Sequence, residues 1–451
     1  MSGTAVATAA RPRRAPGPGG SGWRNLARYM RDPLGTMDAL ARDHGDVVYV
    51  PFPRGHSFYF VADPALIRRV MVEDQGAFVK GRALRAARRL LGDGLLTSEG
   101  GEHLRRRRGI QPIFGHERIA AYGEVMVQAA QRTGERWTDG GVVDMNREMT
   151  GFALDVVGRT VFDADVESEA PEVRAVLEAG MRVFHRFLLP GGELLWNLPL
   201  PATRRFNVAK ADIDRYLERL IAERAALDPP GAGVLDHLLS LRGEDGGRLL
   251  SDAEIRDEAI TLMLAGHETT AQALTWTWHL LAANPGAAAE LRAELARVVG
   301  AGPPAVEHYE RLAYTQAVIR ESLRLYPPVW ALARIATRPY QLGAHLVPEG
   351  GTLILPQWVV HRDPRHHADP AAFRPERWLN GTPPPAGSYF PFAAGTRMCV
   401  GERFAMLEAT LGMAVLAAGW RVSPLDRHPA PDARFTLRPH GGLRARTERI
   451  G

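Results

Sequence analysis

The sequence of 451 residues predicts a mainly α-helical protein with a minor β region. Apolar residues recur every three or four positions in several long segments, as they do on the buried face of a helix. One of these segments begins after Ser251 and continues to Asn284, about 30 residues or roughly 45 Å at a rise of ~1.5 Å per residue. Shorter runs with strand character lie near both ends of the chain.

The order of these patterns favours one large domain. Residues 1–22 are rich in Ala, Pro, Gly and Arg and contain little to bury, so we expect a flexible N-terminal tail. Residues 45–63 hold two β-rich runs around a Pro-Arg-Gly turn, which predicts a hairpin. Helical patterns dominate beyond it, and no long linker or repeat interrupts them. We therefore expect a single domain over residues 23–451.

The composition limits the possible functions. The chain has 56 basic and 51 acidic residues, and a formal net charge of +5 is too small to favour nucleic-acid binding. No apolar run approaches the ~18 residues of a membrane-spanning helix. The single cysteine, Cys399, cannot form a disulfide within the chain, and the first residues lack the apolar core of a secretory signal. We expect a soluble, cytoplasmic protein without a transmembrane anchor.

The middle of the long helical segment is unexpectedly polar. It reads "AGHETT" over residues 265–270 and places Glu268 and Thr269 where the surrounding pattern predicts burial. Unpaired polar groups are costly there, and Gly266 weakens the helix. Two interpretations are equally open: a kink in which the threonines bond to carbonyls one turn earlier, and a functional site.

Three charged residues could form a network. Glu321 and Arg324 are three positions apart, so they share one helix face, and Arg377 in "FRPERW" could join them. Taken alone, each of these motifs is more typical of a surface salt bridge.

The surroundings of Cys399 suggest a metal ligand. A thiolate is a soft ligand for zinc or iron, but a structural zinc site needs several Cys and His ligands at short spacing, which this region lacks. A single thiolate in a glycine-flanked loop suits heme iron. The alternative, from the cysteine alone, is a small buried hydrophobic side chain.

The four motifs in this order resemble those of the cytochrome P450 family. "AGHETT" is similar to its oxygen-activating helix, "ESLR" to its ExxR pair, "FRPERW" to its meander and "FAAGTRMCVG" to its heme loop. The resemblance extends from about Trp23 to the C-terminus. It implies the cytochrome P450 fold, with a long central helix over the heme, and a monooxygenase that inserts one oxygen atom from O2.

The resemblance also implies roles for individual residues. Cys399 would be the proximal ligand of a heme b iron, and Thr269 with Glu268 would deliver the protons that O–O cleavage consumes. Glu321, Arg324 and Arg377 would form a structural network. The other cofactor-binding residues would be Phe392 and Gly401 at the ligand loop, and Arg397, His103, Arg107 and Arg334 at the heme propionates.

The substrate pocket implied by the family is apolar. A compact hydrocarbon-like substrate fits such a lining. Two stretches around residues 103–123 and 198–207 resemble actinobacterial sesquiterpene oxidases, so a terpenoid of secondary metabolism is favoured over a fatty acid, macrolide or aromatic natural product. A non-catalytic heme sensor is the alternative from another class. The predicted lining is Phe184, Phe187, Leu188, Leu262, Ala265, Val329, Trp330, Leu332 and Phe435.

Electrons must come from outside this chain, because it contains no flavin or iron–sulfur motif. The family's usual bacterial donors are a ferredoxin and a ferredoxin reductase that uses NAD(P)H. Basic residues near the ligand loop, including Arg397 and Arg403, are expected to attract an acidic carrier.

Overall fold

The computed structural model describes residues 15–163, 200–227, 233–243, 245–300, 302–426 and 428–450. Fourteen α-helices occur within these ranges, joined by short 3-10 and π-helical turns. They are α1 (Gly22–Arg31), α2 (Pro33–His44), α3 (Pro64–Arg68), α4 (Arg82–Leu91), α5 (Gly100–Ile110), α6 (His116–Glu135), α7 (Met145–Val157), α8 (Pro201–Ala225), α9 (Val234–Ser240), α10 (Asp252–Ala283), α11 (Pro285–Val298), α12 (Ala313–Leu325), α13 (Gln357–Val360) and α14 (Glu402–Gly419).

The strands of the described residues form small sheets. The strands are β1 (Val47–Pro51), β2 (Ser57–Val61), β3 (Phe78–Lys80), β4 (Val142–Asp144), β5 (Leu332–Ala336), β6 (Tyr340–Leu342), β7 (His345–Val347), β8 (Thr352–Leu355), β9 (Trp420–Pro424), β10 (Pro431–Ala433), β11 (Leu437–Pro439) and β12 (Arg444–Arg449). One sheet has the order β1-β2-β8-β5-β3 and another β4-β12-β9, while β6-β7 and β10-β11 are two-stranded. The predicted mainly α fold with a minor β region is confirmed.

The central helix α10 begins and ends where its capping residues predict. Ser251 Oγ accepts a hydrogen bond from Glu254 N, and the Glu254 carboxylate accepts one from Ser251 N at 2.8 Å. At the other end Pro285 cannot continue the hydrogen-bond ladder of α10 and starts α11. Most of α10 is buried, and it packs against α7 and α12. It therefore crosses the interior of the helical part.

Residues that precede the predicted boundary at residue 22 already pack against the rest of the fold. Ala15 is buried, and Pro16 O accepts a hydrogen bond of 2.7 Å from Tyr49 N in β1. The packed part of the chain thus includes residues that the sequence assigned to the tail. The predicted hairpin of residues 45–63 is confirmed by the antiparallel pairing of β1 with β2.

Two hydrophobic cores hold the elements together. The larger is built by the helices around α10, with Phe152 and Phe206 fully buried. The smaller lies under the five-stranded sheet, around Phe60 and Leu353. The loop of Cys399 connects with both, because Phe390 is buried in the sheet core and Phe392 packs against the helical core. This position places the loop at the junction of the two layers.

Candidate heme-thiolate site

The loop that carries Cys399 has a fixed backbone. Cys399 N donates to Phe392 O at 2.9 Å, which closes the loop on itself. Gly395 has a φ of 70°, and a Cβ there would lie 2.1 Å from Met71 O. No other residue fits at that position without moving the backbone. The helix α14 begins at Glu402, which directly follows Gly401 and lies three residues beyond the cysteine.

The Cys399 side chain is accessible, yet the surrounding protein desolvates the thiol. This desolvation raises its pKa, with the Gly401 N–H acting in the opposite direction. A ligand atom with this environment fits a site for a bound metal group.

The middle of α10 has an accessible face of its own. Ala265 is exposed, and Leu262, Gly266 and Thr269 are half-buried, although their neighbours on the other faces are buried. Positions 262, 265, 266 and 269 follow the spacing of one helix face. In a helix that crosses the interior, such a face fits the wall of a binding site for an apolar group.

Buried cations cluster near the ligand loop. Arg397 donates to Ser98 O at 3.0 Å and forms an ion pair with Glu99, and Lys80 Nζ donates to Leu95 O and Ser98 O. Burial, together with the charge of Arg397, lowers the pKa of Lys80 to about 7 and that of Arg334 to about 10. Cations that destabilise each other in this way fit a site for a bound anion, such as a carboxylate.

Lys80 was missed by the sequence analysis. It is one of only two lysines in the chain and ends strand β3. Its side chain reaches the cluster because β3 pairs with β5, where Lys80 lies opposite Arg334. That pairing spans more than half of the chain, so no local pattern indicates it. Nearly all basic residues of the chain are arginines, and the rarity of lysine is the only signal in the sequence that sets Lys80 apart.

His103 and Arg107 contact the ligand loop itself. The two ring nitrogens of His103 lie 3.2 Å from Leu95 O and 3.2 Å from Thr396 O. Burial, and then the charge of Arg397, lower the pKa of His103 to about 4, so it is neutral at pH 7. Arg107 Nη1 donates to Met398 O at 2.7 Å. Both side chains of α5 therefore hold the loop from one side.

The placement of Arg397 does not support the expectation that it attracts a carrier protein. Its side chain is only 17% exposed and points toward Ser98 and Glu99, because the Ser98 carbonyl and the Glu99 carboxylate stabilise its charge. Arg403, at the start of α14, is exposed. Of the two predicted surface cations, only Arg403 is thus available to a partner.

Glu268 and Thr269 point in different directions. Thr269 Oγ1 donates to Ala265 O at 2.7 Å, the bond one turn earlier that the sequence left open. Glu268 is buried, and its Oε1 accepts from Thr436 Oγ1 at 2.6 Å and from Arg438 Nη2 at 3.0 Å. Neighbouring positions on a helix differ by about 100°. The hydroxyl therefore lies on the accessible face, while the carboxylate is bound to the segment that contains β11.

The predicted charge network is assembled in the interior. Arg324 is fully buried, pairs with Glu321 at 2.8 Å and donates further bonds to the carbonyls of His361, Pro370 and Ala372. Glu321 also accepts from Arg377 Nε at 2.9 Å. Burial alone would raise the pKa of Glu321, but the bonds from Arg324 and the other donors leave it below its ordinary value.

The predicted pocket residues that the structure describes divide into three groups. Leu262 and Ala265 lie on the accessible face of α10, and Val329, Leu332 and Phe435 are half-buried. Trp330 is different: it is buried in the sheet core, and its indole N–H donates to Arg434 O. Packing of a large ring against the sheet explains this placement. Phe184, Phe187 and Leu188 lie outside the described residues.

The described residues contain neither a membrane-spanning helix nor a cluster of metal-binding side chains. Within the ranges that the structure describes, no helix is long and apolar enough to cross a membrane. In the same ranges, no group of three or more His, Cys, Asp or Glu side chains could hold a metal ion.

Comparisons with known proteins agree with the motifs. The family model described as Cytochrome P450 matches residues 19–443. Cyclooctatin synthase of Streptomyces melanosporofaciens is 37% identical over 434 residues, which cover 95% of this chain and 93% of that protein. Pentalenene oxygenase of Streptomyces avermitilis is 35% identical over 401 residues, 88% of each chain. Cyclooctat-9-en-7-ol 5-monooxygenase of Streptomyces melanosporofaciens is 32% identical, over 88% of this chain and 86% of that protein.

Proposed function

The chain belongs to the cytochrome P450 family and is a heme-thiolate monooxygenase, and we propose from this premise that it oxidises an apolar terpenoid of secondary metabolism. The observation that carries the proposal is that relatives named for cyclooctatin and pentalenene match nearly the whole chain. The apolar, accessible face of α10 at Leu262 and Ala265 supports it, because a hydrocarbon substrate needs such a wall. A sesquiterpene is the substrate class that we favour.

Cys399 is our candidate for the proximal iron ligand. The closed loop, the desolvated thiol and the position directly before α14 support this role. Phe392 and Gly401 would fix the loop. When bound, heme with a thiolate ligand supplies the activation of O2, which consumes two electrons and two protons for each oxygen atom inserted.

The buried cations would hold the heme propionates. We assign this role to Arg334 and Arg397, add Lys80 to them, and assign His103 and Arg107 to the same side of the loop. The low pKa values of Lys80 and Arg334 support the assignment, since an anion would relieve the repulsion that lowers them.

Thr269 and Glu268 would supply protons from α10. The Thr269 hydroxyl is fixed by its bond to Ala265 O, yet it keeps acceptor lone pairs for a water or a reacting oxygen. Glu268 is ionically bound to Arg438 and hydrogen-bonded to Thr436, so proton transfer through it must pass along this network. Arg438 and Thr436 would therefore position the acid.

The electrons would come from NAD(P)H through a ferredoxin reductase and a ferredoxin. The exposed Arg403 and the 39% exposed Met398, both next to the cysteine loop, support docking of an acidic carrier at this side. Arg403→Glu should slow reduction by ferredoxin, and high salt should slow reduction of the parent. Reduction that is insensitive to both changes would contradict this docking site.

We further propose that the chain forms one catalytic domain. Packing of α10 against α7, which precedes it, and against α12, which follows it, supports this organisation.

The substrate proposal is tested with a panel of ligands. Purified holoprotein is titrated with sesquiterpene hydrocarbons, a long-chain fatty acid, a macrolide and an aromatic polyketide, and the Soret shift and the oxidised products are measured. We expect the terpenes to shift the Soret band and to be oxidised. Selective binding and turnover of the macrolide or fatty acid would overturn the terpenoid assignment.

The ligand assignment is tested by spectroscopy. The reduced parent protein with carbon monoxide should give the Soret band of a thiolate-bound ferrous heme, and Cys399→Ser should lose this band because an alcohol does not replace the thiolate. Thr396→Ala, in the same loop, is the control and should keep it. A histidine-type band in the parent would contradict the assignment of Cys399.

A further inference from the structure

The first helix presents an apolar row to the outside. Asn25 donates to Pro51 O at 3.0 Å, and the ring of Tyr29 lies 5.9 Å from that of Phe52, so this side of α1 is fixed against the β1–β2 hairpin. The opposite side carries Trp23 and Met30, which are 63% and 43% exposed. These two residues are seven positions apart and lie on one helix face.

A basic row runs beside the apolar one. Arg24, Arg28 and Arg31 follow the same helical spacing and are all exposed. None of the three forms an ion pair with an acidic residue that the structure describes. The outer half of α1 is thus divided lengthwise into an apolar row with a tryptophan and a row of arginines.

The basic row continues onto neighbouring elements. The start of α1 packs against the hairpin turn, since a Cβ at Gly22 would lie 2.5 Å from the Phe52 backbone, and the exposed Arg54 is in that turn. Arg82, at the start of α4, contacts His56 at 3.0 Å, and Arg85 is exposed one turn further. We call Arg24, Arg28, Arg31, Arg54, Arg82 and Arg85, with Trp23 and Met30, the basic surface.

Acidic residues are absent from the segments that form this surface. The sequences of residues 15–31, 47–62 and 78–91 contain no aspartate or glutamate. Asp32, directly after α1, and Asp43, which interacts with Arg28, lie beside this surface, so the positive charge is concentrated on the outer side of α1, the hairpin turn and the start of α4. A partner that complements it must be anionic and must also accept an exposed indole.

We propose that the basic surface binds peripherally to an anionic lipid bilayer, with Trp23 and Met30 in the headgroup–acyl boundary and the arginines at the lipid phosphates. A helix with parallel rows of arginines and of apolar residues that include tryptophan is suited to the interface between water and acyl chains. An anionic bilayer matches both rows at once, because its phosphates face the arginines and its acyl boundary accepts the indole. The proposal does not depend on the identity of the substrate.

The test is cosedimentation of the holoprotein with vesicles. Vesicles of phosphatidylcholine with phosphatidylglycerol should bind it, and phosphatidylcholine alone should bind it weakly. Each arginine near an anionic surface contributes about fivefold to partitioning, so Arg24→Gln, Arg28→Gln and Arg31→Gln together should weaken binding about 100-fold. Trp23→Ala should also weaken binding, on both kinds of vesicle.

Matched controls come from the three-stranded sheet. Arg421, Arg444 and Arg446 are exposed there, and their triple replacement by Gln removes the same charge. Leu425, 52% exposed, is the control for Trp23. Controls that bind like the parent support the proposal. Equal binding to neutral and anionic vesicles, no binding to either, or undiminished binding of the α1 triple variant would overturn it; heme content verifies the fold of each variant.

Discussion

Thr269 differs from Thr277 of the same helix in its accessibility, because it is half-buried and lies on the accessible face of α10. Thr277 also donates to the carbonyl one turn earlier, at 2.7 Å, but it is fully buried. We expect Thr269→Ala to retain heme and lower product formation by about 100-fold, because a positioned proton-transfer group is lost. Oxidation of NAD(P)H should continue and appear as peroxide.

The measurement is the ratio of product to NAD(P)H consumed. Thr277→Ala removes the same hydroxyl from a buried position and should leave this ratio at the parental value. A Thr269→Ala variant that is as well coupled as the parent would sink the assignment of Thr269.

Single residues could be predicted where they belong to a local motif. Cys399, Thr269 and Glu321 could be predicted as candidates because their neighbours in sequence are characteristic. Arg438 was not, since it contacts Glu268 across 170 positions of the chain. Its approach depends on how β11 packs against α10, which no pattern near either residue encodes.

At the scale of elements, the Glu321 network joins α12 to the segment around Arg377. Glu321→Gln keeps the shape but leaves Arg324 fully buried with no carboxylate. We expect this to lower the free energy of unfolding by about 3 to 5 kcal/mol, the usual effect of breaking a buried ion pair. Urea unfolding followed by circular dichroism, and heme content after purification, measure the effect.

Arg377→Gln is the comparison variant, and we expect it to destabilise the protein less than Glu321→Gln. The Arg377 side chain is 16% exposed, so water can solvate part of what is lost, and removal of one bond to a charged group costs about 1.5 to 3 kcal/mol. If Glu321→Gln were no more destabilising than Arg377→Gln, the buried ion pair would not be what stabilises the packing of these elements.

The ends of elements were more predictable than their partners. The capping box at Ser251 and the stop at Pro285 are local chemistry, and they fixed the bounds of α10. The parallel pairing of β2 with β8 joins Phe58 to Thr352. Such a register depends on the packing of the whole sheet, so the sequence could indicate the strands but not their order.

At the scale of the whole molecule, the interior holds several neutral histidines. Burial is the main cause that lowers the pKa of His103, His237, His267, His279, His361 and His367. Each stays neutral in the folded state at a pH at which the unfolded chain takes up a proton. Buried Glu408 acts in the opposite direction, because its raised pKa favours the folded state as pH falls.

The histidines outnumber such carboxyl groups near neutral pH, so stability should fall as the solution is acidified below about 6.5, the ordinary histidine pKa. The expected slope is about 1.4 kcal/mol per pH unit for each histidine that remains neutral when folded. His361 is fully buried, and its pKa is lowered well below 6.5. His361→Gln should therefore weaken the pH dependence of the free energy of unfolding between neutral pH and pH ~5.5. The decrease should equal the contribution of one histidine, and urea unfolding at several pH values measures it. A slope unchanged by His361→Gln would show that the acid sensitivity has another origin.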